Sequence, residues 1–286
     1  MDDPIKTVKD SAGLFIDLIK MAGENPQVHE ASTNLGQAAL TISKTINNAL
    51  LPLAAINFAF DKARDYYSHR FQSDLQEKTK AIPVDQIVEP KASVAGPALQ
   101  GLAFTHEEPN LKEMYLSLLA TAMDRRVASA AHPAFVEIIK QLESDEAHLL
   151  RLILRVPGLL AIVQVRYKTV EPKGWQTLMT HIMNILDSKT NQPVENANFP
   201  AMVDNWIRLG LVDVSYDTFL AGEKKYEWVE DRPEYKRLKD EYKSETGEIT
   251  YARGSITRTA LGLKFAVAVG LLIEDAPAKP LPSSEC

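Results

Sequence analysis

The imidazole of His132, followed at once by Pro133, is the side chain of this sequence best suited to moving a proton near neutral pH. A general base needs partners, and spacing supplies none. Glu137 and His148 stand at intervals from His132 that match no metal-ligand pair, and no His-Glu-x-x-His occurs. The competing reading is structural. His132 falls at a helix N-cap position, Pro133 presets the first turn, and Phe135, Val136 and Ile139 anchor the helix that follows. This reading absorbs more of the local pattern, so no catalytic residue, metal ligand or cofactor is assigned. His148 follows Asp145 and Glu146 near a helix start, where acids suit the macrodipole and a solvated face is the simpler account. Phosphate chemistry lacks its signatures: there is no Gly-x-x-x-x-Gly-Lys-Ser/Thr, no Gly-x-Gly-x-x-Gly and no Gly-x-Ser-x-Gly. Arg125, Arg126, Arg151, Arg155 and Arg166 could form a basic surface between two domains, but spacing alone does not align them. The single cysteine, Cys286, excludes both a disulfide framework and a cysteine metal site.

A chain of 286 residues carries two domains or one large one, and its 45% hydrophobic and 24% charged composition excludes general disorder, a collagen-like fibre and a polytopic membrane protein. With 32 Lys and Arg against 38 Asp and Glu, the formal charge of −6 argues against general affinity for a phosphate backbone. It leaves a local basic patch open. Residues 1–20 begin with Asp2 and Asp3 and show no basic leader followed by an apolar run, so a cytoplasmic protein is expected.

The elements that must position these residues are mostly helical. Asp3-Pro4 opens a short amphipathic helix stopped by Gly23 and Pro26. From Thr33 to about His69 apolar residues recur every three or four positions, with a kink or a junction of two helices expected at Pro52. Lys44 is the only charge between Glu30 and Asp61, but the longest apolar run, Ala49 to Ile56, is far short of the roughly 20 residues a membrane span needs. A core helix hairpin is therefore favoured over insertion. Phe71 to Lys80 follows as a charged helix, and Ile82 to Pro90 as a connector. Gly96-Pro97 is expected to open a helix, Asn110 and Glu113 form a capping-box pattern, and His132-Pro133 opens another helix.

From Ser144 the pattern changes. A helix to Arg155 with Leu149, Leu152 and Ile153 inward precedes a strand at Leu159 to Tyr167. Helices are expected at Trp175 to Asp187 and Phe199 to Leu209, the latter ended by Gly210, then β-prone stretches at Leu211 to Ser215 and Glu248 to Thr257, and a last helix from Thr259. This order is that of a winged helix-turn-helix. The expected fold is thus mainly α: a helical domain over 1–143, then a winged-helix-like domain with a small β-wing over 144–273, the wing stretched by a charged insertion at 223–245. A tail at 274–286 is expected to be disordered. If Phe199 to Leu209 were a recognition helix it would offer Asn205 and Arg208 as nucleic-acid contacts. Residues 199–260, however, hold ten Lys and Arg against twelve Asp and Glu, so protein contact or support suits the module better than DNA.

The segments "NLKEMYLSLLATAMD" and "HPAFVEIIKQLESDEAHLLRLI" closely resemble the Abi-alpha family of bacterial abortive-infection proteins, as does the connector "IPVDQIVEPKASVAGPALQGLAF". Near the C-terminus "IRLGLVDV" and "SITRTALGLKFAVAVG" are similar to that family's ending, with Ile256, Thr257, Gly262 and Phe265 standing at its Leu-Thr and Gly-x-x-Phe positions. The resemblance covers most of residues 30–273, and His132, Pro133, Phe135 and Ile139 lie in its most specific part. It implies antiphage defence by growth arrest or death of the infected cell and carries no reaction with it, so the expected function is an abortive-infection protein acting by binding or as a non-enzymatic effector. A protein partner or phage-derived trigger, and self-association, are the expected partners. The alternatives are a membrane-perturbing toxin using residues 34–60, inserting after activation, and a winged-helix DNA-binding regulator.

Overall fold

The computed structural model describes residues 36–46, 57–187, 189–243 and 246–272. The expected helix at residues 5–19, the kink or helix junction at Pro52, residues 34–35 and 47–56 of the apolar 34–60 segment, and the tail lie outside the described residues. Among the described residues no helix is long and apolar enough to cross a membrane. Those up to His148, together with those from Lys264, form one compact unit, and Leu149–Leu263 form a second.

Among the described residues of the first unit every regular element is helical, the α-helices being α1 (36–46), α2 (Asn57–His69), α3 (Phe71–Thr79), α4 (Ala92–Thr105), α5 (Pro109–Met123) and α6 (Pro133–Ile139). The apolar stripe of α5 buries Leu111, Tyr115, Leu118 and Leu119 against a core that also holds Leu75, Leu99 and Leu102. Two expected helix starts are moved. α4 begins at Ala92 and carries Pro97 inside it. α5 has Glu108 at its N-cap with no side-chain cap bond, and the Asn110 amide instead donates to the Ser144 carbonyl at 3.1 Å. Tertiary bonding has taken the side chain that the capping box would use.

α7 (Ser144–Leu154) leads into the second unit. It buries Glu146, Ala147, Leu150, Ile153 and Leu154, whereas Leu152, expected inward, is half exposed. Then follow β1 (Leu160–Thr169), β2 (Gly174–Ile182), α8 (Phe199–Arg208), β3 (Val212–Ser215), α9 (Pro233–Glu241), β4 (Gly247–Arg258) and α10 (Ala260–Ala268). The four strands form one antiparallel sheet in the order β2-β1-β4-β3, with β1 and β4 paired along ten residues.

This corrects the expected fold class. The protein is mixed α/β, and the second unit is not a winged helix. The segment from Trp175, expected as the first helix of a helix-turn-helix, is strand β2, so among the described residues α8 is the one helix between β1 and β3. Its apolar residues Trp175, Leu178, Met179 and Ile182 fall at helical intervals because β2 is bulged. Val163 pairs Ile182, Val165 pairs Met179 and Arg166 pairs Thr177, so two extra residues on β2 displace the two-residue alternation. The charged 223–245 insertion is also not an extension of a wing. Tyr226, Val229, Tyr235 and Leu238 from it pack with Val163, Val165, Ile182 and Ile249 as the core on one face of the sheet.

Candidate functional site

The bulge in β2 brings three titratable side chains, His181, Asp204 and Tyr216, into one network. At its end His181 takes a left-handed backbone, φ 59°, a conformation rare for a residue with a Cβ and a recurrent feature of bulges. This aims the ring between α8 and the chain leaving β3. His181 Nε2 lies 3.1 Å from Asp204 Oδ1 on α8, and Nδ1 lies 3.1 Å from the Tyr216 hydroxyl. The Tyr216 oxygen also accepts the His181 backbone N–H at 3.0 Å. Gly254 on β4 makes room for Tyr216, since a Cβ there would come within 2.6 Å of its ring. One tautomer satisfies the set: Nε2–H donates to Asp204, and Nδ1 accepts from Tyr216. Burial holds the His181 imidazole below its usual range, Asp204 opposing that shift, and burial pushes the Tyr216 phenol up. Both groups are therefore neutral near pH 7.

Beside this cluster lies a buried clamp. Arg232, 1% exposed, donates from Nη1 to the Ile185 carbonyl at 2.6 Å and from Nη2 to the Val194 carbonyl at 2.7 Å. Its Nε and Nη2 both donate to Glu234 Oε1, at 2.9 and 2.8 Å. Arg232 thereby ties the loop between β2 and α8 to the start of α9. The other carboxylate oxygen, Glu234 Oε2, is buried without a protein partner. Arg232, Glu234 and His181 share a cavity of about 30 Å³, room for a water or two and not for a substrate. Every ring nitrogen of His181 is committed inside the network. The arrangement can fix a tautomer and lock a strained strand end.

The larger opening, about 740 Å³, lies at the far end of the same sheet, around the β1–β2 turn. Arg166, Lys168, Lys173, Trp175, Glu248 and Tyr251 line it. Its volume is in the range of ligand pockets.

The residues that the sequence singled out fall elsewhere. His132 is the N-cap of α6: Nδ1 accepts the Ala134 N–H at 3.1 Å, and the ring meets Phe135 edge-on with centroids 6.0 Å apart. Pro133 is the first helical residue, and Phe135 and Ile139 are buried, Phe135 packing edge-on against Phe265 at 5.6 Å. Glu137 pairs with Lys140 at 2.9 Å, not with His132. Asn205 and Arg208 are bonded to each other on α8. Of the five arginines, Arg126 is bound to Asp124 through three guanidinium bonds, which hold that carboxyl below the usual range, and Arg166 lies over Trp175. Among the described residues no group of three or more His, Cys, Asp or Glu could hold a metal ion. Sequence reasoning missed His181, Tyr216, Arg232 and Glu234. They are brought together by sheet register and loop closure, and their separations in the chain carry no periodic signal.

The family described as abortive infection alpha matches residues 63–269. No curated protein and no solved structure matches the chain.

Proposed function

We propose that this chain, which belongs to the abortive infection alpha family, acts in antiphage defence as a binding effector and not as an enzyme. The observation that carries the reading is the contrast between the two openings described above. The titratable cluster faces a water-sized cavity with its imidazole fully engaged, while the roomy opening gathers three cations and two aromatic rings around a single carboxylate, Glu248, a lining suited to holding a ligand. A phage product or a host component is then recognised by contact, and protection follows from stopping the infected cell.

The test separates binding from proton chemistry. Asp204 is 68% exposed on its side chain, so Asp204→Asn preserves an oxygen for the His181 Nε2–H and leaves the fold intact. In a bacterial host the Asp204→Asn chain is expected to protect against phage plaquing as the unaltered chain does. A catalytic His–Asp pair behaves otherwise, because losing the carboxylate that orients the imidazole costs on the order of 10⁴ in rate. Loss of protection at unchanged melting temperature would show that catalysis is at work.

A further inference from the structure

We infer that the open end of the sheet is a binding surface for single-stranded nucleic acid. This rests on the binding-effector reading above and names the class of ligand. Trp175 is 65% exposed and shares its opening with Val170, 61% exposed, so the two form an exposed apolar patch rimmed by polar groups, the kind that marks an interaction site. Arg166 lies over one part of the Trp175 ring, 4.9 Å from its centroid. The guanidinium is steadied from behind by Gln164, whose side-chain carbonyl, in the orientation that satisfies both groups, accepts Nε at 2.7 Å.

The strand register then gathers charge around the ring. Trp175 is the cross-strand partner of Lys168, two residues along β1 from Arg166, and Lys173 stands two residues before Trp175 at the turn. Tyr251 on β4 lines the same opening. Three cations face one carboxylate there, Glu248, and among the described residues none of the three forms an ion pair. In a chain of net charge −6 this is a local reversal of sign. An exposed indole set among cations is the arrangement used for single strands: bases stack on the ring and phosphates meet the cations. An acidic peptide would use the cations but leave Trp175 without a purpose. Duplex DNA hides its base faces and cannot stack.

The full chain would be titrated, at low and at physiological salt, into fluorescently labelled single strands of about 12 nucleotides. The probes are oligo-uridine RNA and oligo-thymidine DNA, with a duplex and poly-glutamate as the other arms. Binding to single strands is expected, and preference between the two identifies RNA or DNA as the source. Trp175→Ala should weaken it about tenfold or more. Lys168→Gln with Lys173→Gln should reduce the steepness of its salt dependence by about 0.7 for each phosphate that is no longer neutralised. All three residues are exposed, so the variants should fold. The inference is overturned by absent single-strand binding, by equal affinity of Trp175→Ala, or by preference for the duplex or poly-glutamate. Phage protection measured on the same variants keeps two failures apart. Protection that needs Trp175 without oligonucleotide binding rejects the ligand and leaves the effector reading standing, whereas loss of protection in Asp204→Asn rejects the effector reading itself.

Discussion

Arg232→Met is expected to lower the stability of the second unit by about 3–5 kcal/mol, because it strands the Glu234 carboxylate in the interior. The guanidinium satisfies four acceptor contacts: two to Glu234 Oε1 and one each to the Ile185 and Val194 carbonyls. Removing it leaves a charge that already has one unpartnered oxygen and releases the loop before α8. Chemical denaturation, followed by circular dichroism, reads the change. Arg232→Met combined with Glu234→Leu should recover at least half of the loss, since replacing both members of a buried pair by apolar groups is often neutral. A single variant within about 1 kcal/mol of the parent would mean that the pair is solvated and carries little.

Gly262→Ala should be as damaging for a steric reason. A Cβ at Gly262 would sit 2.0 Å from the Leu211 carbonyl oxygen and 3.0 Å from its carbon. That carbonyl cannot retreat, because it accepts the Thr259 N–H at 3.0 Å, while Thr259 Oγ1 donates to the Gly210 carbonyl at 2.6 Å and accepts the Gly262 N–H at 2.8 Å. The first turn of α10 is thus pressed directly on the chain between α8 and β3. We expect a loss of roughly 3 kcal/mol or more, or failure to accumulate as soluble protein. Gly96→Ala in α4 is the control. Its Cβ would meet only the Thr45 methyl at 3.8 Å, so the gain in helix propensity should leave the protein unharmed or slightly stabilised. Equal melting temperatures for Gly262→Ala and the parent would remove the steric account.

The same glycine shows what the sequence could and could not reveal. Gly262 and Phe265 carry the resemblance to the family, and the structure gives each a packing role: close backbone approach for the glycine, a fully buried ring for Phe265. His132-Pro133 was legible for a similar reason, since an N-cap and a first-turn proline are local chemistry. Helix stripes such as that of α5 were legible because their period survives burial. β2 was not. Two bulges moved its side chains out of alternation, and the remaining spacing of Trp175, Leu178, Met179 and Ile182 imitates a helix, from which the winged-helix expectation followed. The 223–245 segment misled through composition. Its many charges concealed Tyr226, Val229, Tyr235 and Leu238, which face the sheet. Arg166 appeared as one member of a scattered set, and only the β1–β2 register places Lys168 and Trp175 beside it.

The most direct measurement of the central claim is survival of an infected culture expressing the chain, scored at low and at high multiplicity of infection. Abortive infection sacrifices the infected cell, so the culture should survive at low multiplicity, with phage release suppressed, and collapse at high multiplicity. Survival at both would contradict the account, because it would mean that the chain blocks infection while sparing the cell.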